Sequence, residues 1–116
     1  MTENNNQNNI IDIQRLQEIS GGDSEFEKEI LESYLVDAEE QIAAVKDAIE
    51  KADFTKIKRH AHQLKGASGN VGALEIQKLG LELEKLSASQ DTINLIEYLK
   101  KIETKIEELT IFINQL

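Results

Sequence analysis

The sequence predicts an all-α protein, an antiparallel four-helix bundle with a short additional N-terminal helix. Apolar residues recur at spacings of three and four along most of the chain, and no segment alternates with the period of a strand. There is no proline, and six glycines leave few breaks in a chain of 116 residues. The connections between periodic segments are short, so neighbouring helices must run in opposite directions. This length supports one domain, which we expect over residues 10–116.

The N-terminal region is predicted to contain a disordered tail followed by a short helix. Residues 1–9 are almost entirely polar and Asn-rich, so they bury too little surface to offset the entropy of ordering. The helix is expected over residues 10–19 and ends at Ser20-Gly21-Gly22, because glycine adopts the left-handed cap conformation at little cost. Its apolar side is expected to consist of Ile10, Ile13, Leu16 and Ile19.

A long helix is predicted from Asp23-Ser24 to about Lys51, with a length on the order of 40 Å. Ser24 and Glu27 have the spacing of a capping box, in which both side chains bond free backbone N–H groups at the helix start. The residues expected to face the core are spaced by three and four: Phe26, Ile30, Tyr34, Ala38, Ile42, Val45 and Ile49.

The third helix is predicted over residues 54–71, with Asp53 as its N-terminal cap and Gly72 as its end. Its side chains divide into an apolar face and a polar face. The apolar face, which we expect in the core, consists of Phe54, Ile57, Ala61, Leu64, Ala67 or Ser68, and Val71.

Two further helices complete the predicted bundle. The fourth is expected over about residues 74–86, where Gly80 indicates a close contact with another helix. A polar connection over residues 87–91 leads to the fifth, which Asp91 or Thr92 caps and which continues to the C-terminus. Their predicted core residues are Ile76, Leu79, Leu83 and Leu86 in the fourth, and Ile96, Leu99, Ile102, Ile106, Leu109 and Ile113 in the fifth.

Composition excludes several classes of function. The net charge of −9 at pH 7 argues against a general nucleic-acid binder, which needs a basic surface. No apolar run approaches the roughly 20 residues of a membrane span, and no signal peptide is recognisable. The absence of cysteine excludes disulfides and thiolate chemistry. We therefore expect a soluble cytoplasmic protein, and a monomer, since no apolar stripe remains after the bundle closes.

The third predicted helix has the opposite charge from the rest of the chain. Residues 54–74 contain no Asp or Glu, although the chain has 22 acidic residues, and they include both histidines. Side chains three or four positions apart share a helix face. The neighbours of His62 on that face are therefore Lys58, Arg59, Lys65 and Gly66. This cationic surrounding, free of carboxylates, suits an anion bound or bonded to the imidazole.

Gly66 and Gly69 lie inside this helix, where glycine costs roughly 0.5–1 kcal/mol relative to alanine. Gly66 is one turn from His62, where any side chain would cover the ring, so we expect a bulky partner to approach closely. A phosphoryl group on His62 fits these features, with Lys65 as the best-placed counter-charge. His60 lies on another side of the helix and is interpreted as a solvated or half-packed residue.

Residues 61–73, AHQLKGASGNVGA, resemble the signature of the histidine phosphotransfer (HPt) domain family. The likeness extends to Ser20-Gly21-Gly22-Asp23, to Ala52-Asp53 and to Leu83-Glu84. It implies a bundle with one phosphoacceptor histidine, which takes a phosphoryl group from the aspartate of one receiver domain and passes it to another. The signature is long and position-specific, and the likeness as a whole covers nearly the whole chain from residue 10 onward.

The resemblance also implies roles for single residues. His62 matches the acceptor, and Lys65 and Gly66 match the residues that support it. Beside these matches, we expect Arg59 to be a further supporting residue and Lys58 and Gly69 to be docking residues. Some members have a glutamine on the following helix that bonds the imidazole; here the matching position is Glu84, which either does the same or is a surface residue.

The expected partners are receiver domains of response regulators or hybrid histidine kinases, which supply the magnesium and most of the catalysis. The chain itself is then a phosphocarrier without a cofactor, not an enzyme. Three alternatives remain open: an adaptor that docks receivers without transferring phosphate, a domain phosphorylated directly by a kinase, and a metal-binding bundle. The last is disfavoured, because neither histidine has the Glu three residues before it that di-iron bundles use.

Overall fold

The computed structural model describes residues 10–116 and, within that range, consists of five helices without strands. The helices are α1 (Ile13–Ser20), α2 (Ser24–Glu50), α3 (Phe54–Val71), α4 (Leu74–Ser89) and α5 (Thr92–Asn114). Each of α2 to α5 packs against the next, and α5 packs back against α2, so that the four form a bundle; α1 lies against α2 and α3. The all-α prediction is confirmed. The predicted tail, residues 1–9, lies outside the described residues.

Aspartates define the beginnings of four helices. A side-chain oxygen of each accepts a hydrogen bond from the backbone N–H three residues on, which satisfies a donor that the helix leaves free. These caps are Asp12 for α1, Asp23 for α2, Asp53 for α3 and Asp91 for α5. The predicted Ser24–Glu27 capping box is wrong, because Asp23 occupies the cap position and the Glu27 carboxylate instead accepts from the Ser20 hydroxyl at 2.8 Å.

Two helices end at the glycines that the sequence predicts as caps, whereas α1 begins and α4 ends at residues other than those predicted. Gly21 after α1 and Gly72 after α3 both adopt the left-handed conformation, as the sequence predicts. α1 begins later than predicted, at Ile13, and α4 continues to Ser89, where Gln90 takes the left-handed position. No helix in the described part of the chain combines the length and apolar character that crossing a membrane requires.

The core is made by one face of each helix, and the structure shifts several predicted positions. In α5 Leu95 is buried and the predicted core residue Ile96 is exposed, although both lie at helical spacing from Leu99. In α2 the buried face begins at Leu31, so the predicted core residue Phe26 is 45% exposed. Two residues of the predicted apolar side of α1, Ile13 and Ile19, are also exposed, whereas Ile10 and Ile11 ahead of the helix are buried.

The buried pair Tyr34 and Ser68 joins α2 to α3. Their hydroxyl oxygens are 2.6 Å apart, so each polar group has a partner within the core. Burial raises the pKa of Tyr34 to about 12, although the hydrogen bond with Ser68 acts in the opposite direction.

α3 and α4 approach closely at Gly80, as the sequence predicts. A Cβ atom on Gly80 would lie 3.3 Å from the Lys65 backbone of α3, both at its Cα and at its nitrogen. This contact sets the distance between the two helices one turn before Glu84.

Replacement of Gly80 by leucine is expected to destabilise the protein by about 1–3 kcal/mol, because the Lys65 backbone cannot yield space as a flexible side chain could. Urea denaturation measures this loss directly. Leu79→Ala offers a comparison, since it removes apolar contact from the same helix without forcing the helices apart. A Gly80→Leu protein with unchanged stability would show that the α3–α4 contact is not sterically limited.

Candidate functional site

His62 lies on the exposed face of α3, as predicted. Its side chain is 64% exposed, whereas Ala61 and Leu64 on the opposite face are fully buried. The helix therefore presents the imidazole to solvent, and its position depends on the apolar face that anchors α3 in the bundle.

Glu84 of α4 meets the imidazole. His62 Nδ1 is 3.1 Å from Glu84 Oε2, and Lys65 Nζ is 3.0 Å from Glu84 Oε1. The Glu84 side chain is 18% exposed and that of Lys65 is 26% exposed. Of the two roles left open for Glu84, the structure shows contact with the imidazole. The expectation of a carboxylate-free surrounding is wrong, because the acid comes from a different helix.

The contact with Glu84 determines which ring nitrogen is free. A carboxylate can only accept hydrogen bonds, so Nδ1 of His62 donates to it. In the neutral ring the remaining nitrogen, Nε2, then carries a lone pair and has no partner among the described residues. Nε2 is thus the atom of His62 able to act as a nucleophile.

The Glu84 carboxyl is held in its ionised form. Partial burial acts to raise its pKa, but the hydrogen bonds from Lys65 and His62, together with their charges, outweigh burial and hold the pKa below its ordinary value. Each carboxylate oxygen has its own donor, so the side chain is fixed from both sides.

An open cleft of about 470 Å³ surrounds the exposed side of His62. It is lined by Thr55, Lys58, Arg59, His62 and Gln63 of α3 and by Glu84 of α4. Lys58 and Arg59 are exposed and line this cleft together with His62, on the helix face that the spacing predicts. Lys65 is less accessible than the sequence indicates, because it bonds to Glu84.

The two glycines of α3 have different surroundings. A Cβ atom on Gly66 would have no neighbour within 4 Å, whereas one on Gly69 would lie 2.5 Å from Gln77 Nε2 of α4. The atom that this Cβ would meet is the far end of the flexible Gln77 side chain, which can move aside, so the contact alone does not require glycine at position 69. The docking role of Gly69 stays a prediction. Among residues 10–116, no contact accounts for the glycine at position 66.

His60 belongs to a different environment from His62. It is half-buried, and its Nδ1 is 2.7 Å from Gln41 Oε1 of α2. The interpretation of His60 as a half-packed residue is confirmed, and the structure does not bring the two histidines together.

Sequence comparison identifies relatives of the chain. Residues 29–111 match the family model described as the Hpt domain. The chain is similar to the phosphorelay intermediate protein rdeA of Dictyostelium discoideum, at 23% identity over 90 residues. That match covers 78% of this chain and 35% of rdeA, so the chain spans about a third of the length of this curated relative.

Structural comparison finds the same bundle in solved proteins. Histidine-containing phosphotransfer protein B of Pseudomonas aeruginosa PAO1 superposes with a TM-score of 0.83 at 21% identity, covering 91% of this chain and 92% of that one. A putative histidine-containing phosphotransfer protein from rice also has a TM-score of 0.83, at 20% identity, covering 93% of this chain and 79% of that one. At these identities the likeness establishes the fold.

Proposed function

The chain belongs to the Hpt domain family, and on this premise we propose that His62 is its phosphoacceptor. Nε2 of His62 receives a phosphoryl group from the aspartate of one receiver domain and passes it to the aspartate of another. The observation that carries the proposal is the exposed imidazole whose Nδ1 donates to Glu84, so that Nε2 alone remains available.

The transfer step follows from this geometry. The Nε2 lone pair attacks phosphorus while the bond from phosphorus to the aspartate oxygen breaks, and the aspartate leaves with that electron pair as a carboxylate. Lys58 and Arg59 along the cleft offset the charge of the phosphoryl oxygens. Gly66 leaves space on the same face for the receiver to reach the ring.

Most of the catalysis is assigned to the receiver. Phosphoryl transfer depends on positioning and on neutralisation of charge, in which magnesium commonly takes part. Among residues 10–116, Glu84 supplies the one carboxylate that lines the cleft, and it is already bonded to Lys65 and His62. The acidic pocket and its magnesium are therefore proposed to belong to receiver domains of response regulators or hybrid histidine kinases in the cytoplasm, which the chain meets as a monomer.

A phosphotransfer assay with the wild-type protein tests this function. Receiver domains phosphorylated on aspartate are mixed with the protein in the presence of magnesium. We expect label on the protein that is stable to alkali and lost in acid, as a phosphohistidine should be. Absence of label with each of several receivers would contradict the proposal and favour an adaptor; label obtained only with ATP and a kinase would favour a kinase-fed domain.

Replacement of Lys65 by alanine is expected to slow transfer about tenfold, equivalent to ~1.4 kcal/mol in the barrier, and to leave the bundle folded. Lys65 holds the Glu84 carboxylate at 3.0 Å, so its loss loosens the group that orients the imidazole. Stopped-flow transfer rates and far-UV circular dichroism measure the two effects. Lys56→Ala is the matched control, since Lys56 is exposed on α3 and does not line the cleft. Equal transfer rates for Lys65→Ala and Lys56→Ala would show that Lys65 has no role in transfer.

A further inference from the structure

Phosphorylation of Nε2 changes the chemistry of the other ring nitrogen. When the Nε2 lone pair forms the bond to phosphorus, both nitrogens are substituted and the ring carries a positive charge. Its Nδ1 proton is then easier to lose than in the unmodified ring. The position of that proton decides how readily the phosphoryl group can leave.

Discharge requires the proton to be on Nδ1. The bond from Nε2 to phosphorus breaks as a carboxylate oxygen of the acceptor receiver bonds to phosphorus, and the electron pair of the broken bond stays on Nε2. With Nδ1 protonated, the leaving group is a neutral imidazole, identical to the starting state. Without that proton it would be an imidazolate anion, which is a far more basic and therefore poorer leaving group.

From these contacts we infer that Glu84 is a positioning residue that keeps the proton on Nδ1 of phosphorylated His62 and so holds the phosphohistidine in its transferable form. This inference rests on the phosphoacceptor role proposed above. It deepens that role, because it assigns to Glu84 a function in releasing the phosphoryl group as well as in orienting the ring.

The charges around the ring support this role for a carboxylate. Lys58 and Arg59 of α3 line the cleft and oppose a positive charge on the imidazole. Lys65 is engaged with Glu84 Oε1, which leaves Oε2 directed at Nδ1 at 3.1 Å. No residue of α1, α2 or α5 among residues 10–116 lines the cleft. Glu84 is therefore the negative group facing the ring, and an opposite charge at this distance favours the cationic form.

The ion pair with Lys65 stabilises the position of the Glu84 carboxylate beside His62. A single hydrogen bond at an exposed site is easily exchanged for water, but Glu84 is held through both oxygens by donors on α3. The neighbouring acid of α4, Glu82, differs in this respect. Its side chain is 45% exposed, a carboxylate oxygen lies 3.7 Å from Lys85 Nζ of its own helix, and it is not among the described residues that line the cleft.

Phosphorus NMR titration of the phosphorylated protein tests the inference without a receiver. The wild type, Glu84→Gln and the control Glu82→Gln are phosphorylated with phosphoramidate, and the ³¹P shift is followed from pH 5 to pH 10. Glutamine keeps the size of the side chain and an acceptor oxygen while removing the charge. We expect the midpoint at which the phosphorylated ring loses its Nδ1 proton to fall by about one pH unit in Glu84→Gln and to stay unchanged in Glu82→Gln.

Discharge to an unphosphorylated receiver with magnesium gives the second measurement. Above the midpoint of the wild type, transfer from Glu84→Gln is expected to be about tenfold slower than from the wild type, and well below the lowered midpoint the two rates should converge. A purely structural role for Glu84 would lower the rate equally at every pH.

The outcomes separate this inference from the proposed function. Superposable titrations of wild type and Glu84→Gln, with His62 phosphorylated in both, would overturn the inference alone. A midpoint that falls equally in Glu82→Gln would also overturn it, since overall charge would then suffice. If His62 of the wild type gains no phosphoryl group from phosphoramidate or from a phosphorylated receiver, the phosphoacceptor role itself fails.

Discussion

Replacement of His62 by glutamine is expected to abolish phosphoryl acceptance, with labelling reduced to background. Glutamine can still approach Glu84 through its amide group, but it offers no nucleophilic nitrogen at the position of Nε2. Because His62 is 64% exposed and outside the core, the variant should fold with the same helix content and unfolding midpoint. Transfer from a phosphorylated receiver, followed by mass spectrometry of the intact protein, measures the loss.

His60→Gln is the matched control for this experiment. His60 lies two residues away on the same helix and bonds Gln41 of α2 at 2.7 Å. Its replacement should therefore leave the final extent of labelling unchanged. Retained label on His62→Gln, or loss of label only from His60→Gln, would move the acceptor away from His62.

Replacement of Gly66 by leucine is expected to stabilise the protein while blocking phosphotransfer. A Cβ atom at this position meets nothing within 4 Å, so the fold has room for the side chain. Leucine also removes the conformational cost of glycine inside a helix, a gain of roughly 0.5–1 kcal/mol. The same side chain lies one turn from His62 and would occupy the space through which a receiver is proposed to reach the ring. We expect transfer to fall more than tenfold.

Two measurements on the same preparation distinguish these opposite effects. Urea denaturation reports the free energy of unfolding, and single-turnover transfer from a phosphorylated receiver reports access to the ring. Gly66→Ala should give at least the same stabilisation, because alanine is the better helix former, and a smaller loss of transfer, because its methyl group extends less far. Unchanged transfer by Gly66→Leu would show that the receiver does not approach over Gly66; a loss of stability would contradict the open space around this position.

Helix ends and faces were largely predictable because their causes lie within one turn of the chain. Asp53 and Gly72 mark the ends of α3 through capping geometry that involves only neighbouring residues. In α5 the predicted core residue was Ile96, but the buried residue is Leu95. Both residues are apolar, and local spacing does not discriminate between them. The start of α2 was misassigned because Asp23 and Ser24 are both good caps, and only the backbone conformation selects one.

The site was predictable to the same degree. His62, Lys58 and Arg59 share a face because they belong to one helix, and the spacing along that helix is set by its own hydrogen bonds. Glu84 was recognised only as a position with two alternative roles, for it lies 22 residues from His62 in the chain. Its contact depends on how far α4 is shifted and rotated against α3, which no local pattern specifies.

The sequence by itself determined that this chain is helical, where its helices begin and end within a few residues, and that one exposed histidine lies among cations on an acid-free helix. Each of these properties arises from short-range spacing, capping and charge. Only the tertiary structure decided that the surroundings of His62 include a carboxylate. Gly80 lets α4 approach the backbone of α3 at Lys65, and that approach brings Glu84 within hydrogen-bond distance of both Lys65 and His62.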